Sequence, residues 1–564
     1  MLYTPNTSLS DLDDDTLMHI FSFLDIDDIL RTRRVSKRLS GISRQRVVWT
    51  RALAAYILAE GIPFPPVALD SLATPQLERL VLRARRLAQF WVRPMNPLAS
   101  LHAEFAASSG TGITDVRFLP AHPRWVLTVA RGIWPEISCW DVGLDEGGGL
   151  ALRGAWAPRK LAEWFRKGAV FTGIAVNSDP GAEACLAVSM SFSGEDRVEV
   201  LALRQSGGSG VQFVTLATIK PSFRVMAFKG DVLALSDDMN ETQLVNWRTN
   251  ALACLWGSDA PSEHNFQHNR CLDVLLSSSC TIVVRARTFE VFCTPELVPP
   301  HTVTEPHQPV ATHHFGWLDG VAVVEQAQLP DRDRHAGVPR ISILLRAESD
   351  DPWATYMHTI DLHTLESDPE YSAVPASPPS DTSIPESGVR PESSYEDGGH
   401  LHGTSYNASS AADRPSRTPR RCPYLFPPVH TTSFSASRGH LRCTDMHLGR
   451  HGTALWIAPR PARDVGLTAF DVHASEPQGT GVHPLTGAPS VRCERVVGAL
   501  LPGALRDGHA RGLWRSSDVR GRGQRTLWAS AATGGTWTSF DYDEARGVVV
   551  LGDSTGVVTV LRLG

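Results

Sequence analysis

Long hydrophobic runs are missing from this sequence: no stretch approaches the roughly 18–20 apolar residues that span a bilayer, so no membrane crossing is expected. Residues 1–10 show neither a basic start nor an apolar core, so no secretory leader is expected there either. Strong charge of one sign is also absent. A net charge of −6 on 564 residues gives no global electrostatic case for a nucleic-acid or membrane partner. Nine cysteines, at 139, 185, 254, 271, 280, 293, 422, 443 and 493, are odd in number and form no Cys-x-x-Cys, which argues for incidental thiols in a reducing compartment, cytosol or nucleus. The chain has no Gly-x-x-x-x-Gly-Lys-Ser/Thr loop and no His-Glu-x-x-His, and its Gly-x-Ser-x-Gly spacing, Gly552-Asp553-Ser554-Thr555-Gly556, reads as the turn into the run 557–563 rather than as a strand-to-helix elbow. The closest histidine pairs, His313–His314 and His400 with His402, have no cysteine or acidic partner at metal-ligand spacing. No cofactor, no metal and no catalytic residues are therefore expected.

What is present begins near the N-terminus. Leu17, Ile20, Phe21 and Leu24 follow i, i+3, i+4, i+7 spacing and share one face of a helix. Asp13, Asp14 and Asp15 fall in its first turn, where they meet the positive end of the helix dipole. A second short helix is expected from about Asp27 and Asp28, with Ile29 and Leu30 turned inward. A third carries Val35, Leu39 and Ile42 and is followed by Trp49. Three short helices bury too little apolar surface to stand alone comfortably, so the unit needs a partner.

Leu12, Asp14, Ile20-Phe21-Ser22-Phe23-Leu24, Asp28-Ile29-Leu30, Val35-Ser36-Lys37-Arg38 and the closing Trp49 together resemble the F-box family. The family usually has proline where Asp13 stands, but aspartate also suits a helix N-terminus. The resemblance implies that Leu12, Leu17, Ile20, Phe21, Leu24, Ile29, Leu30, Val35, Leu39 and Trp49 form an adaptor-binding surface for a Skp-type protein.

Beyond the F-box, Leu77, Leu80, Val81, Ala84, Leu87, Ala88 and Trp91 recur at helical spacing, and Thr74-Pro75 provides a start signal for that helix. It reads as a semi-rigid strut or a capping helix. After about residue 110 the period changes. Short Val/Ile/Thr/Phe/Trp runs alternate with turn residues, as in Thr114–Phe118, Trp125–Val129 and Ile137–Val142, and again in 539–543, 548–551 and 557–563. Seven such segments centre on Trp140, Val198–Leu201, Leu244–Trp247, Phe289–Phe292, Met357–Asp361, Leu467–Val472 and Val558. With Trp140-Asp141 as a true Trp-Asp pair, the region resembles a divergent WD-repeat β-propeller of six to eight blades. A β-sandwich or two smaller β domains are the alternatives.

The expected class is multidomain α+β: an F-box over 8–52, a helical linker over 53–109 and an all-β propeller of about seven blades over 110–564. Inside the last, 18 of the 50 residues from Tyr371 to Arg420 are Ser or Pro, too polar to form a core, so 366–424 is expected to be a disordered insertion. Ser377-Pro378 and Thr418-Pro419 are candidate proline-directed phosphorylation sites within it, and Arg414, Arg417, Arg420 and Arg421 a weak nuclear signal. A basic run, Arg511, Arg515, Arg520, Arg522 and Arg525, reads as a solvated loop. An F-box followed by a propeller resembles the substrate receptors of cullin ubiquitin ligases, which implies a Skp-type adaptor, through it a cullin, and an unknown substrate protein as partners. A phosphate-reading receptor would need converging cations, for which Arg224 and Arg285 are candidates. An adaptor-bound scaffold with no role in ubiquitylation and a propeller enzyme with a helical cap are the rival readings.

Overall fold

In the computed structural model, the described residues are 12–92 and 101–563 apart from 109, 133, 144–157, 206–209, 221–222, 258–268, 301, 303–304, 329–337, 349–356, 370, 372–420, 438–440, 460–493, 511–523 and 530–535. The chain opens with four short helices: α1 (Asp14–Phe21), α2 (Ile26–Thr32), α3 (Lys37–Ile42) and α4 (Arg46–Leu53). Polar residues start the first three. Asp13 accepts from the Thr16 amide at 2.7 Å, Asp25 from the Asp28 amide at 2.7 Å, and Ser36 from the Leu39 amide at 3.2 Å. Each satisfies an amide that the helix itself cannot. Two expectations shift here. The second helix starts at Ile26, one residue before Asp27, with Ile26 buried beside Ile29, and Trp49 sits on a fourth helix that follows the third.

A π turn (Ala54–Leu58) and a loop lead to α5 (Thr74–Val92). Its apolar stripe, Leu77, Leu80, Val81, Ala84, Leu87, Ala88 and Trp91, is buried as the spacing predicts. Ala73, not Thr74, precedes the helix, its carbonyl accepting from the Gln76 amide (2.9 Å) and the Leu77 amide (3.1 Å).

After α5 the described strands form seven antiparallel four-stranded sheets, one per blade. The innermost strands in chain order are Ile113–Leu119, Ala169–Val176, Arg224–Lys229, Cys271–Leu276, Leu318–Glu325, Met446–Leu448 and Trp537–Asp543. The ring closes with its own beginning. Strand Leu101–Ala106 pairs antiparallel with the final strand, Leu101 opposite Arg562 and Ala106 opposite Val557, so the seventh blade is built from both ends of the β region. That strand lies inside the stretch expected as helical linker. Pairing of this kind ties the two ends of the β region into one blade and clasps the ring.

Six of the seven expected blade centres fall on strands of six different blades; Leu467–Val472 lies outside the described residues. The sixth blade is built instead from 446–448, 453–459, 494–500 and 525–529. Residues 372–420 of the expected insertion also lie outside the described residues, but its expected limits are structured. Ser367 bridges Tyr424, and the Leu425 amide donates to the Glu366 carbonyl at 2.9 Å. Tyr424 is buried, so it belongs to the blade rather than to the insertion.

The antiparallel order puts the end of each innermost strand on one face of the ring and its start on the other. The helical unit sits on the first of these faces. Leu87 packs against Gly547 in the first turn of blade seven, and the Arg83 guanidinium donates to the Arg546 carbonyl of that turn. His451, in the first turn of blade six, contacts the Gly61 carbonyl through Nδ1 at 2.7 Å. One apolar core runs without a break from Leu17 and Trp49 through Leu87 and Trp91 to Leu455, Val496, Leu527 and Phe540. Arg525, expected in a solvated loop, is on a strand of blade six, with its guanidinium over the rings of Phe90 (4.3 Å) and Trp91 (5.1 Å). Arg511, Arg515, Arg520 and Arg522 lie outside the described residues.

Candidate functional site

The structure divides the ten residues expected at the adaptor surface. Leu17, Phe21, Ile29, Leu39 and Trp49 are buried in the helical core and cannot meet a partner without unfolding it. This corrects their assignment: a stripe at helical spacing marks the inner face first, and these side chains hold α1 to α4 together. The Trp49 indole donates to the Ser43 carbonyl at 2.9 Å, and Arg33 lies over its ring at 5.7 Å while pairing with Glu78 of α5 at 2.6 Å. Leu12, Ile20, Leu24 and Leu30 are half-buried at the border of that core, and Val35 is 73% exposed.

The residue sequence reasoning missed is Phe23. It is 72% exposed, with its ring edge-on to His19 at 5.0 Å. It lies three residues after Ile20 and next to Leu24, so the signal was the same periodicity continued past the helix end. Ile20, Phe23 and Leu24 at the end of α1, with Leu30 and Val35 at the end of α2, give the small helical unit apolar groups accessible from outside. Monomeric proteins scatter such residues singly; grouped exposure marks an interaction site. Arg38 braces the start of α1 through the Asp14 carboxylate (2.7 Å) and the Leu12 carbonyl (2.5 Å).

The inner strands of the propeller surround a channel of about 830 Å³ lined by both charge signs. Three of its arginines are matched by the chain's own carboxylates. Arg117 approaches Asp115 at 3.5 Å and Asp445 at 3.7 Å, Arg131 approaches Asp115 at 3.4 Å, and Arg224 approaches Asp238 at 3.3 Å. Arg224 also donates to the Cys271 carbonyl at 2.8 Å. Arg285 does not line the channel at all: it is 1% exposed, donating to Met239 O (2.8 Å) and Thr242 Oγ1 (2.9 Å). The two arginines weighed as phosphate readers therefore do not converge. Burial pushes the Asp273 carboxyl in the channel up to about 6, although the amides of Val274 and Val323 donate to it.

Burial likewise raises the thiols of Cys185 and Cys280 to about 12 and that of Cys271 to about 11, and that of Cys443 well above its usual value. These are packed groups with little thiolate character. His313 packs edge-on to Phe315 at 4.7 Å, and burial lowers its basicity; His400 and His402 lie outside the described residues. Among the described residues, no cluster of three or more His, Cys, Asp or Glu is arranged to hold a metal.

Residues 9–51 match the F-box domain family. Comparison with curated proteins found no match. Among solved structures, the chain is similar to the β-propeller domain of Cps50 (Swd1) from Myceliophteria thermophila, at 9% identity and a TM-score of 0.39, over 82% of this chain and 100% of that one. The seven-bladed propeller follows from the strand topology above. The chain carries an F-box domain at its N-terminal end and, behind it, a seven-bladed β-propeller.

Proposed function

We propose that this protein is a substrate-recognition subunit of an SCF-type cullin ubiquitin ligase, a receptor without bond chemistry of its own. In this reading the apolar group Ile20, Phe23, Leu24, Leu30 and Val35 docks on a Skp-type adaptor, which is held in turn on a cullin, while the propeller binds the substrate protein. The observation that carries it is the F-box match over 9–51 in a unit that keeps those side chains accessible while sharing one core with the propeller. A shared core fixes the distance between adaptor and substrate, and a fixed distance raises the effective concentration of substrate lysines at the ubiquitin-charged enzyme. We place the protein in the cytosol or nucleus, where thiols such as Cys139, Cys271, Cys280 and Cys443 stay reduced.

The test is calorimetric titration of the full chain, and of an Ile20→Asp/Phe23→Asp variant, with a Skp-type adaptor. Tight binding by the parent, lost in a variant whose circular dichroism is unchanged, supports the reading; absence of binding by the parent overturns it. A substrate-bound protein that keeps its half-life when the variant replaces the parent in cells points instead to an adaptor-bound scaffold.

A further inference from the structure

The propeller face opposite the helical unit carries exposed large apolar side chains at Trp134, Phe165, Val170, Met239 and Trp256. Two of them, Trp134 and Phe165, lie together where blade one crosses to blade two. Glu136 pairs with Phe165 in the sheet, so continuing the register beyond the strand ends brings Trp134 opposite Lys167, on the same face as Phe165. The Lys167 ammonium indeed lies over the Trp134 ring at 4.8 Å.

The crossover that presents these groups is held stiffly. The Ala169 amide donates to the Arg166 carbonyl at 3.2 Å, closing a tight turn in which Gly168 takes φ 78°. Arg166 is clamped to Glu199, itself 1% exposed, through Nε at 3.0 Å and a second nitrogen at 2.7 Å. Glu199 also accepts from Thr215 Oγ1 at 3.1 Å, and Trp164 stacks on Phe171 at 5.7 Å beneath the turn. Such a platform is ordered before anything binds, which lowers the entropy cost of binding.

The channel's Arg117, Arg131 and Arg224 are matched by the chain's own carboxylates, whereas Lys167, among the described residues, meets an aromatic face and no carboxylate, which leaves its charge available to an acidic group. We propose that the Trp134–Phe165–Lys167 platform binds an unmodified peptide segment of a partner protein in which a bulky apolar residue stands next to Asp or Glu. The apolar side chain lies against Trp134 and Phe165, and the carboxylate pairs with Lys167. As a substrate site this rests on the receptor reading; the peptide binding itself does not require it.

The experiment is selection of short randomised, unphosphorylated peptides displayed on phage against the full chain, with Trp134→Ala and Lys167→Glu variants in parallel. The expected result is a consensus pairing an aromatic or large aliphatic residue with an acidic one. Affinity should fall at least about tenfold in Trp134→Ala, as for loss of an interface anchor. Lys167→Glu should exchange the acidic preference for Lys or Arg. Both variants alter exposed side chains, and circular dichroism checks their fold. No enriched consensus, or one indifferent to both substitutions, overturns the proposal. Adaptor titration on the same preparations separates the two readings: adaptor binding without a peptide consensus sinks the platform alone, and the reverse sinks the receptor role alone.

Discussion

Gly498 of blade six faces Trp91 of α5 so closely that a Cβ at position 498 would stand 3.0 Å from the indole and 2.7 Å from Leu527 Cδ1. The absent side chain is what lets the helix seat on the sheet. Gly498→Ala should therefore cost about 1–3 kcal/mol by overpacking, read as a lower urea midpoint. Trp91→Ala should cost about 3–5 kcal/mol, as for a large buried aromatic. Both should also make the chain between α5 and the first strand more sensitive to limited proteolysis. Unchanged midpoints would mean that the helix and blade are not one cooperative unit.

The F-box separates into residues that fold it and residues left for a partner. Leu17→Asp places a charge in a site 2% exposed and should abolish cooperative unfolding of the helical unit. Phe23→Asp, at a site 72% exposed, should change stability by no more than about 0.5 kcal/mol yet weaken adaptor binding at least about tenfold. If Phe23→Asp binds like the parent, the apolar group at the end of α1 is not the docking edge.

Much of this was legible in the sequence, for identifiable reasons. Helix α5 was readable because its stripe and its start signal agree, and the blades because short alternating runs recur between turn residues. Burial versus contact in the F-box was not readable. Leu17 and Ile20 belong to one periodic set, and only the placement of α3 and α4 against α1 decides which of them is enclosed. The clasp was missed because Leu101–Ala106 precedes the strand-rich region and its partner, Val557–Arg562, is at the other end of the chain. Pairing over that separation leaves no local signal. The Trp134–Lys167 contact was hidden similarly, since it depends on register between two strands joined through 144–157.

Buried thiols offer a check on packing across several blades. Cys139, Cys271, Cys280 and Cys443 are enclosed, and burial holds each thiol in its protonated form. Alkylation of the native protein at neutral pH, read by peptide mass spectrometry, should leave these four unmodified, with all of them reacting in urea. Rapid native labelling of Cys443 would contradict its enclosure at the start of blade six.

Asp273 gives the channel a pH signature whose sign can be worked out. Its carboxyl is raised by burial from 3.8 to about 6, so the folded protein holds this proton more tightly than the unfolded chain does. Below about pH 4 both states are protonated and the group contributes nothing to the pH dependence. As pH rises through the window from 3.8 to about 6, the unfolded chain releases its proton first and stability falls; above that window the full cost is present. Asp273→Asn keeps one oxygen to accept from the Val274 or the Val323 amide and never ionises, like the protonated carboxyl it replaces. The variant should melt near the parent temperature at the acid end and progressively above it as pH rises through 6. Parallel melting curves across that range would show that the carboxyl ionises without penalty and that the channel around it is wetter than its burial implies.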